Sequence, residues 1–249
     1  MTQQKKVEQK KNSRNRKSWL RLAIWALGLT AWVGGALFAS QFVVGKIFVL
    51  ILPEYLLTNN LVNAVYSVIT YAVCLVLTIG LPWWVLKKKT TRDELGLRGW
   101  PTWMDLLIGP VGLVAVTIVA GILTTIMMAF MPSVDWKQAQ DVGFHGLFQF
   151  HEYFWAFVCL VVIAPVCEEI IFRGWLYGKL RARLTAVPAT LLVSVLFGIM
   201  HGQWNVGVTV FAMSLGMCVM RELTGTIWSG VILHMIKNAI AFYALFVMM

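Results

Sequence analysis

Long apolar runs separated by short charged or turn-rich segments dominate the chain. A spanning helix needs about 20 mostly apolar residues to cross some 30 Å of hydrocarbon, and seven runs qualify as candidates. They cover residues 22–45, stopped by Lys46, Pro53 and Glu54, and 61–86, stopped by Lys87, Lys88 and Lys89. A third covers 105–131 and stops at Pro132; a fourth starts at 152, stays apolar to Glu168 and Glu169, and continues in helical pattern to Arg183. The fifth runs from Pro188 to His201, the sixth over 206–220, which is short for a full crossing, and the seventh from 226 to the C-terminus. Residues 133–149 are mixed and read as a loop. The pattern predicts an all-α polytopic membrane helix bundle of about seven transmembrane helices. Its expected divisions are a disordered basic cytoplasmic tail (1–21), N-terminal membrane helices (22–131), an outer loop (132–151) and a catalytic membrane core in the last four helices (152–249).

Composition narrows the class. Of 249 residues, 59% are hydrophobic and only 13% charged, against roughly 25% charged in soluble domains. That excludes an ordinary cytosolic enzyme, a disordered chain and a nucleic-acid reader. The net charge of +10 is local, because Lys5, Lys6, Lys10, Lys11, Arg14, Arg16, Lys17 and Arg21 all precede the first run. Such a tail suits an anionic membrane surface. The other basic clusters are Lys87 to Arg98, Lys179 to Arg183, and Arg221, all on the side of the tail if each run crosses. The positive-inside rule then puts the N-terminus in the cytoplasm and the C-terminus outside. A first run of about 24 apolar residues exceeds the h-region of a cleaved signal. Cys74, Cys159, Cys167 and Cys218 show no C-x-x-C spacing and suggest neither disulfides nor a thiolate metal site. Six tryptophans near run ends fit an aromatic belt.

Ionisable groups within spans are costly unless paired, which makes them functional candidates. Here they gather in the C-terminal half: Glu168, Glu169 and Arg173 on the fourth helix, His201 on the fifth, and His234, Lys237 and Asn238 on the seventh. The N-terminal runs read as a plain anchor. Glu169 and Arg173 are four apart and can pair. Glu168 points about 100° away and is left to face a cavity. Phe197 lies one turn before His201, placing an aromatic ring beneath the imidazole. A carboxylate, two imidazoles and a carboxamide around a dry cavity equip a site for hydrolysis: the carboxylate takes a proton from water, and an amide N–H steadies an oxyanion. Two histidines and a glutamate, His201, His234 and Glu168, are also a zinc ligand set. The residues leave a divalent-metal route and a metal-independent glutamate route both open.

Three motifs carry a resemblance: E-E-x-x-x-R at Glu168, Glu169 and Arg173 within "APVCEEIIFRGWLYGKLRARL", F-x-x-x-H at Phe197 and His201 within "LFGIMHG", and H-x-x-x-N at His234 and Asn238 within "ILHMIKNA". In this order, each on its own apolar run, they resemble the CAAX proteases and bacteriocin-processing enzymes, the CPBP or Abi intramembrane glutamic or metallo-endopeptidases. The resemblance covers residues 154–242 and no core motif residue departs from it. It implies that Glu168 activates water, that Glu169 and Arg173 order the helix and position substrate, that His201 and His234 bind a metal or the water, and that Asn238 holds the oxyanion. It further implies a peptide or lipidated-protein substrate in the bilayer, and in a bacterial plasma membrane a role in bacteriocin or peptide-signal maturation or self-immunity. Lys237 is not part of the pattern; it can pair with Glu169 or meet a substrate carboxylate. The cavity is expected toward the cytoplasmic half, with His201 deeper. A noncatalytic immunity or scaffold protein is the main rival, since polar residues in bundles also serve as interhelical glue. A proton-coupled transporter is a second, although the inverted repeats usual to it are missing.

Overall fold

The computed structural model describes residues 3–87 and 89–248, with side chains from residue 18 onward. Eight helices follow in order: α1 (Gln3–Ile51), α2 (Glu54–Leu57), α3 (Asn60–Leu86), α4 (Trp103–Phe130), α5 (Phe150–Arg181), α6 (Ala186–Ile199), α7 (Trp204–Thr224) and α8 (Trp228–Phe246). There is no strand among the described residues. Six of the helices are long and apolar enough to cross a membrane, in keeping with a multi-pass helical bundle. Of the tail expected to be disordered over 1–21, the described backbone is helical from Gln3 onward.

Two helix lengths differ from the expectation. α1 continues past Lys46 to Ile51, because the Lys46 ammonium lies over the Phe42 ring, 5.7 Å from its centroid, and a long cationic side chain can reach outward without breaking its helix. The short member of the set is the fifth run, not the sixth. α6 has 14 residues, which extend about 21 Å, whereas α7 has 21 residues. The turn before α7 passes through Gly202 at φ 70°.

α5 is the axis of the bundle and touches α1, α3, α6, α7 and α8. Its Ile171, Phe172, Arg173 and Leu176 are buried, while α4 turns Val111, Val114, Ile118 and Ile122 outward. Outward apolar side chains cost nothing in lipid, where only backbone polar groups must be satisfied internally. α5 carries Pro165, which has no N–H to give to the preceding turn. The helix widens into π-type turns over Val158–Ile163 and again over Ile170–Leu176, a form of irregularity that often marks functional sites.

All three basic clusters meet at one end of the bundle. Lys179 Nζ lies 3.2 Å from Glu94 Oε2, Arg221 Nη2 donates to the Glu94 carbonyl at 3.4 Å, and Arg181 Nε donates to Glu222 Oε1 at 2.8 Å. The loop between α3 and α4 is bound across this end. Ile227 N–H donates to Gly96 O at 3.1 Å, and Trp228 Nε1 donates to Gly99 O at 3.1 Å. Asp105 accepts from Thr102 N–H at 2.8 Å and from Ser229 Oγ at 2.6 Å, tying the first turn of α4 to α8. The loop backbone rests in a trough on α5 where Gly174 and Gly178, four apart, carry no side chain. A Cβ at Gly178 would lie 2.9 Å from Glu94 O. Gly178→Ala is therefore expected to lift the loop and destabilise the protein by about 1–3 kcal/mol, read as a lower unfolding temperature together with faster proteolysis between residues 89 and 99.

At the opposite end, Asn60 Nδ2 donates to His145 O at 3.0 Å and to Glu152 Oε1 at 3.1 Å, and Asn205 Nδ2 donates to Gln138 O at 2.7 Å. These bonds fold the loop between α4 and α5 down onto the ends of α3, α5 and α7.

Candidate active site

The two adjacent glutamates of α5 part company as helical geometry requires. Glu169 is completely buried and receives a hydrogen bond from Arg173 Nη1 at 2.8 Å. Arg173 is equally buried, and its guanidinium carbon stands 4.4 Å from the centroid of the Phe197 ring, a cation–π contact strengthened by desolvation. Phe197 also meets the rings of His201 and His234 edge-on, with centroids 4.9 Å and 5.9 Å away. One aromatic ring thus joins the buried ion pair to both histidines. Gly230 makes room for this arrangement: a Cβ there would sit 3.2 Å from Glu169 Oε2.

Glu168 turns the other way and lines a cavity of about 850 Å³. His234 lies between the two glutamates. Its Nδ1 is 3.2 Å from Glu169 Oε1 and its Nε2 is 3.8 Å from Glu168 Oε2. A carboxylate can only accept, so Nδ1 carries the proton toward Glu169. His201 Nδ1 is 2.8 Å from the Phe197 carbonyl; that oxygen likewise only accepts, which leaves the Nε2 lone pair of a neutral ring unspent. Both histidines, Glu168, Lys237 and Asn238 line the same cavity. Glu169 and Arg173 stand behind it as its supporting layer.

Asn238 is partly committed elsewhere. Its Nδ2 donates to Leu160 O at 2.9 Å, in the π-type turn just ahead of Pro165. Leu160 is five residues before Pro165, where a π-register N–H would be sought, and proline has none to offer. The carboxamide therefore braces the widened part of α5 and retains one N–H for other use.

Two expectations are corrected. The cavity does not lie at the end carrying the basic clusters. Gln140 and Asp141 of the loop between α4 and α5 line it, so it extends toward the other end. Glu168 precedes Lys179 by eleven residues, or roughly 16 Å along α5, and the loop between α3 and α4 closes the basic end. Nor are the N-terminal helices a plain anchor. Tyr71 of α3 donates from its hydroxyl to Glu168 Oε1 at 2.5 Å, and Ser40 of α1 and Thr70 of α3 line the same cavity. A search for charged side chains passes over an uncharged phenol; the signal that was present is a polar Thr-Tyr pair in the middle of an apolar run.

A metal ion is not served by this arrangement of donors. Among the described residues no three of the His, Cys, Asp and Glu side chains converge closely enough to hold one. The expected set of His201, His234 and Glu168 shares a cavity without forming a ligand cluster.

Three motif-bearing helices thus bring Glu168, His201, His234 and Asn238 to one chamber, in the order the motifs suggested. Residues 150–240 match the family model described as Type II CAAX prenyl endopeptidase Rce1-like. Over these residues the chain is CPBP-like. The resemblance read from the three motifs is borne out for that segment. The chain is also 31% identical over 77 residues to the "Putative membrane peptidase YdiL" of Bacillus subtilis (strain 168), an alignment covering 31% of this chain and 32% of that protein. It therefore spans about a third of the length of that curated relative. No solved structure matches. The CPBP-like segment begins at α5, so Tyr71 lies outside it.

Proposed function

We propose that this chain is an intramembrane endopeptidase that hydrolyses a peptide bond in a membrane-associated or lipidated peptide, with Glu168 as the base. The observation that carries this reading is the Glu168 carboxylate itself, set in a cavity between helices, fixed at Oε1 by Tyr71 and facing His234 at Oε2. A gap of 3.8 Å is too long for a direct hydrogen bond and suits a bridging water. Glu168 takes a proton from that water as its oxygen bonds to the substrate carbonyl carbon. The remaining N–H of Asn238 steadies the oxyanion, and Glu168 returns the proton to the amine as the C–N bond breaks. Glu169 holds the tautomer and aim of His234, while Arg173 offsets the buried charge of Glu169.

The three basic clusters share one end of the bundle, and by the positive-inside rule we place that end in the cytoplasm with the N-terminus. The chamber then extends toward the outer face, and a bacterial plasma membrane with bacteriocin or peptide-signal maturation or self-immunity is the setting we assign. A noncatalytic scaffold would need no carboxylate exposed to a cavity.

Mass spectrometry of membrane peptides from cells carrying the parent protein or Glu168→Ala tests the reading. We expect a set of cleavage products that disappears in the variant; identical peptide sets would favour the scaffold. Tyr71→Phe is expected to lower kcat by roughly 10–10²-fold, since a hydrogen bond to a charged group contributes about 1.5–3 kcal/mol, with KM near that of the parent. Steady-state hydrolysis would show it, and an unchanged kcat would remove Tyr71 from the machinery. Because no step uses a metal, exhaustive chelation is expected to leave the rate within about twofold of the untreated protein.

A further inference from the structure

Lys237 is the charged group of the chamber that hydrolysis does not use. It sits on α8 between His234 and Asn238, three residues from one and next to the other, and lines the cavity with both. Every acidic side chain around it is already engaged. Glu168 accepts from Tyr71 and faces His234, and Glu169, which does not line the cavity, is held at Oε1 by Arg173 and His234. Asp141 accepts from Gly143 N–H at 2.8 Å and lies 3.4 Å from His145 Nε2. Among the described residues, no carboxylate stands within 4.0 Å of the Lys237 ammonium and no hydrogen bond is made by it. The negative charge of Glu168 reaches Lys237 only across the cavity, beyond ion-pair distance, and an ammonium within a membrane bundle without a direct counter-ion is costly to keep. The cost is offset if a bound ligand brings the anion.

We propose that Lys237 anchors a carboxylate of the bound peptide, either its free chain end or an Asp or Glu side chain, and so fixes which bond comes to Glu168. The chemistry favours an acidic over a purely apolar substrate segment near α8. A cation one helical turn beyond His234 also gives the chamber a direction, because the acidic part of the peptide would lie against α8 and the opposite part toward α3. The position of the cleaved bond rests on the peptidase reading above, but the anchor itself can be tested without hydrolysis.

The test uses the full chain in nanodiscs of neutral lipid and three synthetic probes: acetyl-Ala-Leu-Ala-Leu-Ala with a free carboxyl end, the same peptide as its carboxamide, and the carboxamide with Asp in place of the central Ala. Binding is followed by tryptophan fluorescence, with hydrolysis followed in parallel by mass spectrometry. The parent is expected to bind the free acid or the Asp peptide about tenfold more tightly than the plain carboxamide, and whichever is preferred identifies the source of the carboxylate. Lys237→Met should lose that preference while still binding the carboxamide, which shows that it is folded; Lys237→Arg should keep it. Equal binding of all three probes by the parent, or an unaltered preference in Lys237→Met, overturns the anchor. Hydrolysis without any carboxylate preference would sink the anchor and leave the peptidase standing. Preference without hydrolysis would do the reverse.

Discussion

Glu168→Gln is expected to lower the rate of peptide hydrolysis by roughly 10²–10⁴-fold, the usual contribution of a positioned base, while leaving the bundle as stable as the parent. The amide keeps the shape of the carboxylate, and its oxygen can still accept from Tyr71 as Glu168 Oε1 does at 2.5 Å. What disappears is the carboxylate charge that lets this position take the water proton. Glu168 faces the cavity, with 16% of its side chain accessible, and it forms no direct ion pair with an arginine or lysine that the amide would break. Single-turnover hydrolysis by the purified protein, run beside its thermal unfolding, separates the two effects. A variant that hydrolyses at the parental rate would move the base elsewhere and return weight to the scaffold.

Arg173→Met is expected to cost about 3–5 kcal/mol of stability, because it strands a buried carboxylate. Glu169 is fully buried with a 2.8 Å bond to Arg173, and the other contacts of the guanidinium, the rings of Phe172 and Phe197 and the Cys218 thiol, offer no charge to replace it. Adding Glu169→Gln to Arg173→Met should recover most of the loss, since both charges then vanish together. Activity should not return with it. Glu169 also aims His234 through Nδ1, and a neutral amide does so less firmly. Denaturation in mixed micelles of the parent, both single variants and the double variant gives the full cycle. Equal losses in Arg173→Met and the double variant would show that the pair is not a stability unit.

Much of this site is legible in the sequence because helical spacing is so regular. Glu169 and Arg173, four apart, had to share a face, and Glu168 had to leave it; the structure shows both. Phe197 and His201 obey the same spacing. The spans were legible as well, since an apolar run bounded by charge has few other meanings in a chain with 13% charged residues. What spacing along one helix cannot show is the partner across a gap. Tyr71 reaches Glu168 over 97 positions and Asn238 reaches Leu160 over 78. Neither contact is fixed by local spacing, although the polar pair Thr70 and Tyr71 inside an apolar run marks one end of the first. The level of the cavity was missed for a related reason: charge near a helix end indicates which end is cytoplasmic, whereas the height of a cavity depends on which loop fills the bundle from which side. Here the segment with Glu94 and Gly96 closes one end, and the segment with Gln138 and Gln140 lines the other.

The hydroxyl of Tyr71 gives the family-like segment a dependence on a helix that does not belong to it. Helices α5 to α8 expressed alone would present Glu168 to acyl chains along the flank where α3 now stands, with no phenol to hold it. Grafting the segment beneath a different set of leading helices would meet the same difficulty. In this chain the leader and the chemistry have to be inherited together.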